Sequence, residues 1–416
     1  MFARPAAMAR AAALAACALP TVLSAQGMDP FPAALQRSVL GMGMTEDGTL
    51  TGDGRRALLD EAASAQFFLV GEQHAAHEIA QVEAALQRDL AARDFDYLVV
   101  EIGPWSTREV ERLVRSGDGA LEDYIAAPGQ HFHFPFVFFA EDAALVEQAV
   151  ALSPHPDHVL WGVDQEFIGA GEVLAPRLAA LAETDEQRAA AARFAAGAGA
   201  NPMYLGSADT DEMVGIVNPF LRNRSSEAFA LATGIELTWR IYGAFTRNSG
   251  PIYAANLERE NLMKREFLAH FAAAEARDGR PPRAMFKFGA FHMERGLSGT
   301  DVPSFGNFLM EWGRARDFRS VNVMIDCLGG ESWGIQQGAP EPCENYAGLP
   351  ADSPLFAAMG DAPMALFDLK NLRPYLNRAR DLDPQLRRLI LAYDYYLVIR
   401  DVTPQTPLAD IRPPSM

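Results

Sequence analysis

Beyond residue 25 the 416-residue chain lacks any apolar run of the roughly 18 residues that a membrane-spanning helix needs, so no transmembrane segment is expected there. Positive charge is also short. The chain has 36 Lys and Arg against 54 Asp and Glu, a net charge of −18, and a surface of that sign repels nucleic acid and anionic lipid. Neither a Gly-x-Ser-x-Gly elbow nor a Walker loop occurs, which removes the usual support for a serine hydrolase or a nucleotide-driven enzyme. The zinc-protease pattern His-Glu-x-x-His is absent, as are internal repeats and low-complexity linkers. Cysteine is limited to Cys17, Cys327 and Cys343.

Residues 1–25 carry Arg4 and Arg10, then an Ala/Leu-rich stretch, then Leu23-Ser24-Ala25, the pattern of a secretory signal cleaved near Ala25. Cleavage there is favoured over lipoprotein processing at Cys17, because the apolar run continues past that cysteine to Val22. The expected location is periplasmic or secreted, and an oxidising compartment permits a Cys327–Cys343 disulfide.

Phe67-Phe68-Leu69-Val70 is a continuous apolar run, as in a parallel strand covered on both faces. It runs into Gly71-Glu72-Gln73-His74-Ala75-Ala76-His77-Glu78. Ile79, Val82, Leu86 and Leu90 then recur at helical spacing, with Gln81, Glu83, Arg88 and Asp89 assigned to the polar side. A second apolar run, Tyr97 to Val100, ends at Glu101, and Ser106 with Glu109 predicts a capping box opening the next helix. Further strands are expected at 158–163 ending on Asp164, 284–291 ending on His292, 321–325 ending on Asp326, and 395–399.

The fold class is therefore α/β, a mostly parallel sheet flanked by helices with a helical insertion. The first part of the core spans 26–172, the Ala/Leu/Glu/Arg-rich insertion or lid 173–282, and the second part 283–416. A Gly/Pro-rich surface excursion is expected at 328–364.

In open α/β sheets ligands bind beyond the carboxyl ends of the strands. Glu72, His74, Glu101 and His292 lie at three such ends and are the candidate catalytic set. A carboxylate accepting from one imidazole nitrogen makes the other a better base, a natural arrangement for activating water. The alternative use of these polar groups is to satisfy loop backbone and cap helices. The same four could ligate a divalent metal, since imidazole and carboxylate suit zinc or manganese.

His77, Asp164, Arg259, Lys287 and Arg295 are candidate substrate-binding residues. His77 lies one turn beyond His74 and could face the same pocket. Lys287, in an apolar strand, needs a partner such as Glu72 or Glu101, and Gly289 allows close backbone approach. Arg259 and Glu260 on a long helix could reach over the site or pair along the helix face. The run His131-Phe132-His133-Phe134-Pro135-Phe136-Val137-Phe138-Phe139 reads as core or docking loop, as an apolar ligand pocket, or, through His131 or His133, as a haem site.

Gly71-Glu72-Gln73-His74 with His77 and Gln81 resembles the opening motif of the superfamily that joins erythromycin esterases, ChaN-like haem-binding lipoproteins and the TIKI/TraB proteins. Tyr97 to Glu101, Trp161 to Asp164, Arg259-Glu260 with Met263, Lys287 to Gly296, Ser304 to Leu309, Phe367-Asp368 and Asp394 to Ile399 extend the likeness along most of the chain past residue 25. The resemblance implies a hydrolase of an ester or related acyl bond acting on a small molecule. His74 would be its general base, Glu72 and Glu101 orienting or water-binding carboxylates, and His292 a second site histidine. The short Gly-Glu-x-His spacing, with Ala75 following, is closer to the ChaN-like branch. That branch implies instead a haem- or metal-binding protein without hydrolase activity.

Overall fold

A computed structural model describes residues 30–335, 337–379 and 381–409; the stretch expected to be a secretory signal and Cys17 lie outside them. The nine strands of the main sheet are β1 (Val39–Gly41), β2 (Phe67–Glu72), β3 (Phe95–Val100), β4 (Leu160–Gly162), β5 (Arg283–Gly289), β6 (Ser320–Gly334), β7 (Ala339–Pro342), β8 (Met364–Asp368) and β9 (Tyr395–Val402). Their order is β1-β8-β9-β6-β2-β5-β3-β4, with β7 hairpinned onto β6. The six strands from β9 to β4 run parallel, and β8 and β1 add an antiparallel edge.

Alternation within the strands divides the core. Phe68, Val70, Leu98, Val100, Val323 and Leu397 enter one apolar cluster, while Phe67, Leu69, Val99, Phe286, Met324 and Val398 enter another. Side chains that point to opposite faces at every second position make this division automatic. Helices α1 (His77–Ala91), α2 (Pro104–Ser116) and α3 (Ala140–Leu152) cover the first face. On the second face lie α5 (Ile252–Asp278), which follows α4 (Glu227–Thr246), and α7 (Phe305–Ala315), which follows the one-turn α6 (Ala290–Met293). There Phe67 meets the rings of Phe267, Phe271 and Phe286 at 5.6–6.0 Å. Each such fully buried side chain contributes about 1.5–3 kcal/mol.

Between β4 and β5 the described elements are all helical, from Gly171 to Asp278. Several of these helices share an apolar cluster of their own around Phe194, Leu205, Ile216, Leu231 and Ile235.

Three sequence expectations change. The capping box at Ser106 does not form: α2 starts at Pro104, whose missing N–H and preset φ suit the first helical position, and the Ser106 hydroxyl instead donates to Glu166. The excursion at 328–364 is partly regular, because β6 continues to Gly334 and pairs with β7, and a short helix spans Pro354–Met359; Cys327 and Cys343 are bridged. Glu83 is fully buried rather than on a polar face.

Candidate functional site

Glu72 ends β2, the strand held between β5 and β6. Two residues on, His74 turns back over it, and His74 Nδ1 lies 2.9 Å from Glu72 Oε1. Because a carboxylate only accepts, the geometry assigns a proton to Nδ1, so the neutral ring carries its lone pair on Nε2. Phe136 stacks on the imidazole, with centroids 4.5 Å apart, and fixes its plane.

Glu101, just past the end of β3, sits on the other side. Its Oε2 is 3.8 Å from His74 Nε2 and accepts from the Gly289 N–H at 2.8 Å. Its Oε1 meets Arg259 at 2.8 Å and His292 Nε2 at 3.3 Å. His292 is carried by α6, and its Nδ1 pairs with Glu260 at 2.7 Å. Glu260 also accepts from the Phe305 N–H at 2.5 Å, tying α5 to the start of α7. Arg259 reaches down from α5 and grips Asp164 with two bonds, 2.9 and 2.5 Å, so it belongs to the site and does not pair along the helix face. The four candidate catalytic residues thus form one connected row.

Charge along the row follows from these contacts. Burial would raise Glu72, but Lys287 and His74 beside it hold it down at about 2. Burial opposes charge on Glu101 too, yet His292, Arg259 and His74 keep it well below the usual carboxylate range. Burial disfavours a proton on His292, but Glu101 and Glu260 outweigh both that and the repulsion of Arg259, and its pKa is pushed up to about 10. At neutral pH His292 is an imidazolium and has no lone pair to offer as a base.

Under this row, on the face covered by α1 and α3, Lys287 bonds Glu72 and lies 2.9 Å from Asp142 and 3.6 Å from Glu83. One ammonium cannot balance three buried carboxylates. Burial and the neighbouring Glu72 push Glu83 well above the carboxylate range, so it stays neutral. Glu83 and Asp142 were missed from sequence, although Glu83 has the signal: it stands four residues after Ile79 and three before Leu86, on the apolar stripe. Tyr346 was also missed. Asp326 accepts from its N–H at 3.0 Å, and its ring stacks on Phe291. Burial raises the Tyr346 phenol to about 12, with Glu101 and Glu72 close enough to add to the shift, so it remains an O–H donor beside the site.

Two expected binders lie elsewhere. His77 pairs with Glu141 at 2.6 Å and Gln81 at 2.8 Å, because the helix begins at His77 and its side chain follows the helix rather than the preceding loop. Arg295 bonds Asp394 and the Leu391 carbonyl. In the aromatic run, Phe134, Phe138 and Phe139 are core. Both ring nitrogens of His133 are engaged, by Tyr124 at 2.9 Å and Glu172 at 3.2 Å, which leaves neither for an iron.

The donor set does not suit a divalent metal. Lys287 and Arg259 already occupy an oxygen of Glu72 and of Glu101, and both nitrogens of His292 face carboxylate oxygens. Among the described residues no group of three or more His, Cys, Asp or Glu is arranged to hold a metal ion.

No protein-family model and no curated protein sequence matches the chain. Solved structures do. A Bacillus cereus protein is 16% identical, with a TM-score of 0.61 over 91% of this chain and 98% of that one. A succinoglycan biosynthesis protein is 14% identical, with a TM-score of 0.61 over 92% and 100%. The erythromycin esterase EreC, a histidine-to-asparagine mutant in its open conformation, is 14% identical, with a TM-score of 0.60 over 85% and 95%. At these identities the likeness is one of architecture, and the chain has the fold of erythromycin esterase EreC.

Proposed function

We propose that the protein is an exported hydrolase that cleaves an ester or related acyl bond of a small molecule with water activated by His74. One observation carries the reading: His74 Nδ1 is committed to Glu72 while Nε2 points at Glu101 across 3.8 Å, too long for a direct hydrogen bond. A water held between the two could give its proton to Nε2.

In the reaction the water oxygen bonds the acyl carbon as its proton passes to His74. Glu72 stabilises the imidazolium that forms. The cations of His292 and Arg259 border the site on the Glu101 side, where negative charge develops on the former carbonyl oxygen. Collapse breaks the bond to the leaving oxygen, which takes the proton back from His74. The products are a carboxylic acid and an alcohol.

The test is a panel of esters and lactones assayed with the wild type and His74→Ala. Turnover that depends on His74 supports the reading, and turnover indifferent to it removes the base. Export is tested by fractionating cells that express the full chain.

A further inference from the structure

Beside the row, on its β4 flank, a cavity of about 360 Å³ opens between α2, the segment after β4, α4 and α5. Asp164 forms part of its wall, and through Arg259 that residue connects to Glu101. The cavity is basic in a chain whose net charge is −18. Arg108, Arg224 and Arg265 all line it. Arg108 lies over the Trp105 ring at 4.4 Å and 3.7 Å from Glu227. Arg224 and Arg265 have no carboxylate within 4 Å among the described residues.

The acids in the wall do not cancel these charges. Asp164 is spent on Arg259. Glu166 is pushed up to about 7 by burial while it accepts from the Trp105 N–H, the Ser106 N–H and the Ser106 hydroxyl. Burial raises Glu266 while Arg265 and Arg108 pull it back, so it stands as one carboxylate against three guanidiniums.

Two buried polar groups in the wall lack hydrogen-bond partners, Thr233 Oγ1 and Gln165 Oε1, and Gln165 is only 7% exposed. Buried polar atoms left unpaired are costly and rare, and both residues belong to the wall of a space large enough for an organic ligand. The remaining wall is apolar and aromatic, including Phe229 and Leu237. Guanidinium groups over an aromatic and apolar floor recognise an oxyanion carried on an apolar body.

The geometry points to this cavity as the specificity pocket of the hydrolase proposed above, taking the part of the substrate that carries an oxyanion, a carboxylate or a phosphate ester, on an aromatic or alicyclic body. Asp164 in its wall bonds Arg259 of the row, so the scissile bond lies toward the row and the charged end toward α4.

Direct binding tests this without turnover. The full chain is titrated by calorimetry with 2-naphthoate, 2-naphthyl phosphate and 2-naphthalenemethanol. The expected result is that at least one anion binds roughly tenfold or more tightly than the alcohol, and that rising salt narrows the gap. The tighter anion identifies the oxyanion. The solvent-exposed double variant Arg224→Ala/Arg265→Ala, checked for an unchanged melt, should lose the preference, and His74→Asn should keep it. Equal affinity for all three probes, or a preference that survives loss of both arginines, overturns the proposal. Loss of the preference in the arginine variant combined with no ester turnover in the wild type leaves the pocket standing and removes only the hydrolase.

Discussion

Gly289 and His74 meet where a side chain is missing: a Cβ on Gly289 would lie 2.5 Å from His74 Nε2 and 3.5 Å from Glu101 Oε2. The space between base and carboxylate exists because β5 ends in glycine. The backbone there, φ −56° and ψ 144°, is open to any residue, so the requirement is steric rather than conformational. Gly289→Ala should leave the melting transition within about 1 kcal/mol of wild type while lowering kcat on any hydrolysed ester roughly a hundredfold, the cost of displacing a reacting group by about an ångström. Steady-state kinetics beside a thermal melt makes the comparison, and an unchanged kcat would show that His74 Nε2 is not where the chemistry occurs.

Lys287 is the counter-charge for the layer beneath. Lys287→Met strands Glu72 and Asp142 without their cation and should cost about 3–5 kcal/mol in urea unfolding, the usual consequence of breaking a buried ion pair from one side. Glu83→Gln swaps one neutral group for another of the same shape and should cost no more than about 1 kcal/mol. Equal losses from the two variants would contradict a neutral Glu83.

His292 links stability to alkaline pH. Its folded-state pKa of about 10 lies above the 6.5 of an ordinary histidine. From 6.5 upward the native state therefore holds a proton that the unfolded chain has released, and stability falls as pH rises. The contribution is complete below 6.5 and is lost as pH rises through about 10. Glu101 is shifted down, so its contribution is present at neutral pH and disappears only under strongly acid conditions. Denaturation midpoints from pH 7 to 10.5 should decline in the wild type, and His292→Gln should flatten the decline. Parallel curves would assign it to other groups.

The Cys327–Cys343 bridge closes a loop of 16 residues at the root of the β6–β7 hairpin. Replacing both cysteines by serine should lower stability by about 3 kcal/mol, on the chain-entropy estimate for a loop of that size. Tyr346 follows the bridge by three residues, so its fluorescence should change with that loss. A variant as stable as wild type would mean that the hairpin holds the excursion unaided.

The parallel core was legible because its strands are fully buried and read as unbroken apolar runs, and because Glu72, Glu101 and Asp164 each follow one directly. Gly289 was legible for the same reason. What failed depended on partners distant in sequence. Ser106 has the right spacing for a cap, yet Glu166, sixty residues away, takes its hydroxyl. His77 has helical spacing from His74, but its partner Glu141 lies on α3. Arg295 shares a segment with His292, but the chain turns after Met293 and carries it to Asp394. Asp142 gives no local signal, because only folding places α3 under β5.

The strand that presents the base has hydrogen-bonded neighbours on both edges and helices on both faces. Its amides should be among the last in the molecule to exchange with solvent, since they open only when the whole sheet does. Whatever reaches His74 must therefore pass among the loops and side chains above the strand ends; the floor beneath it cannot give way while the protein remains folded.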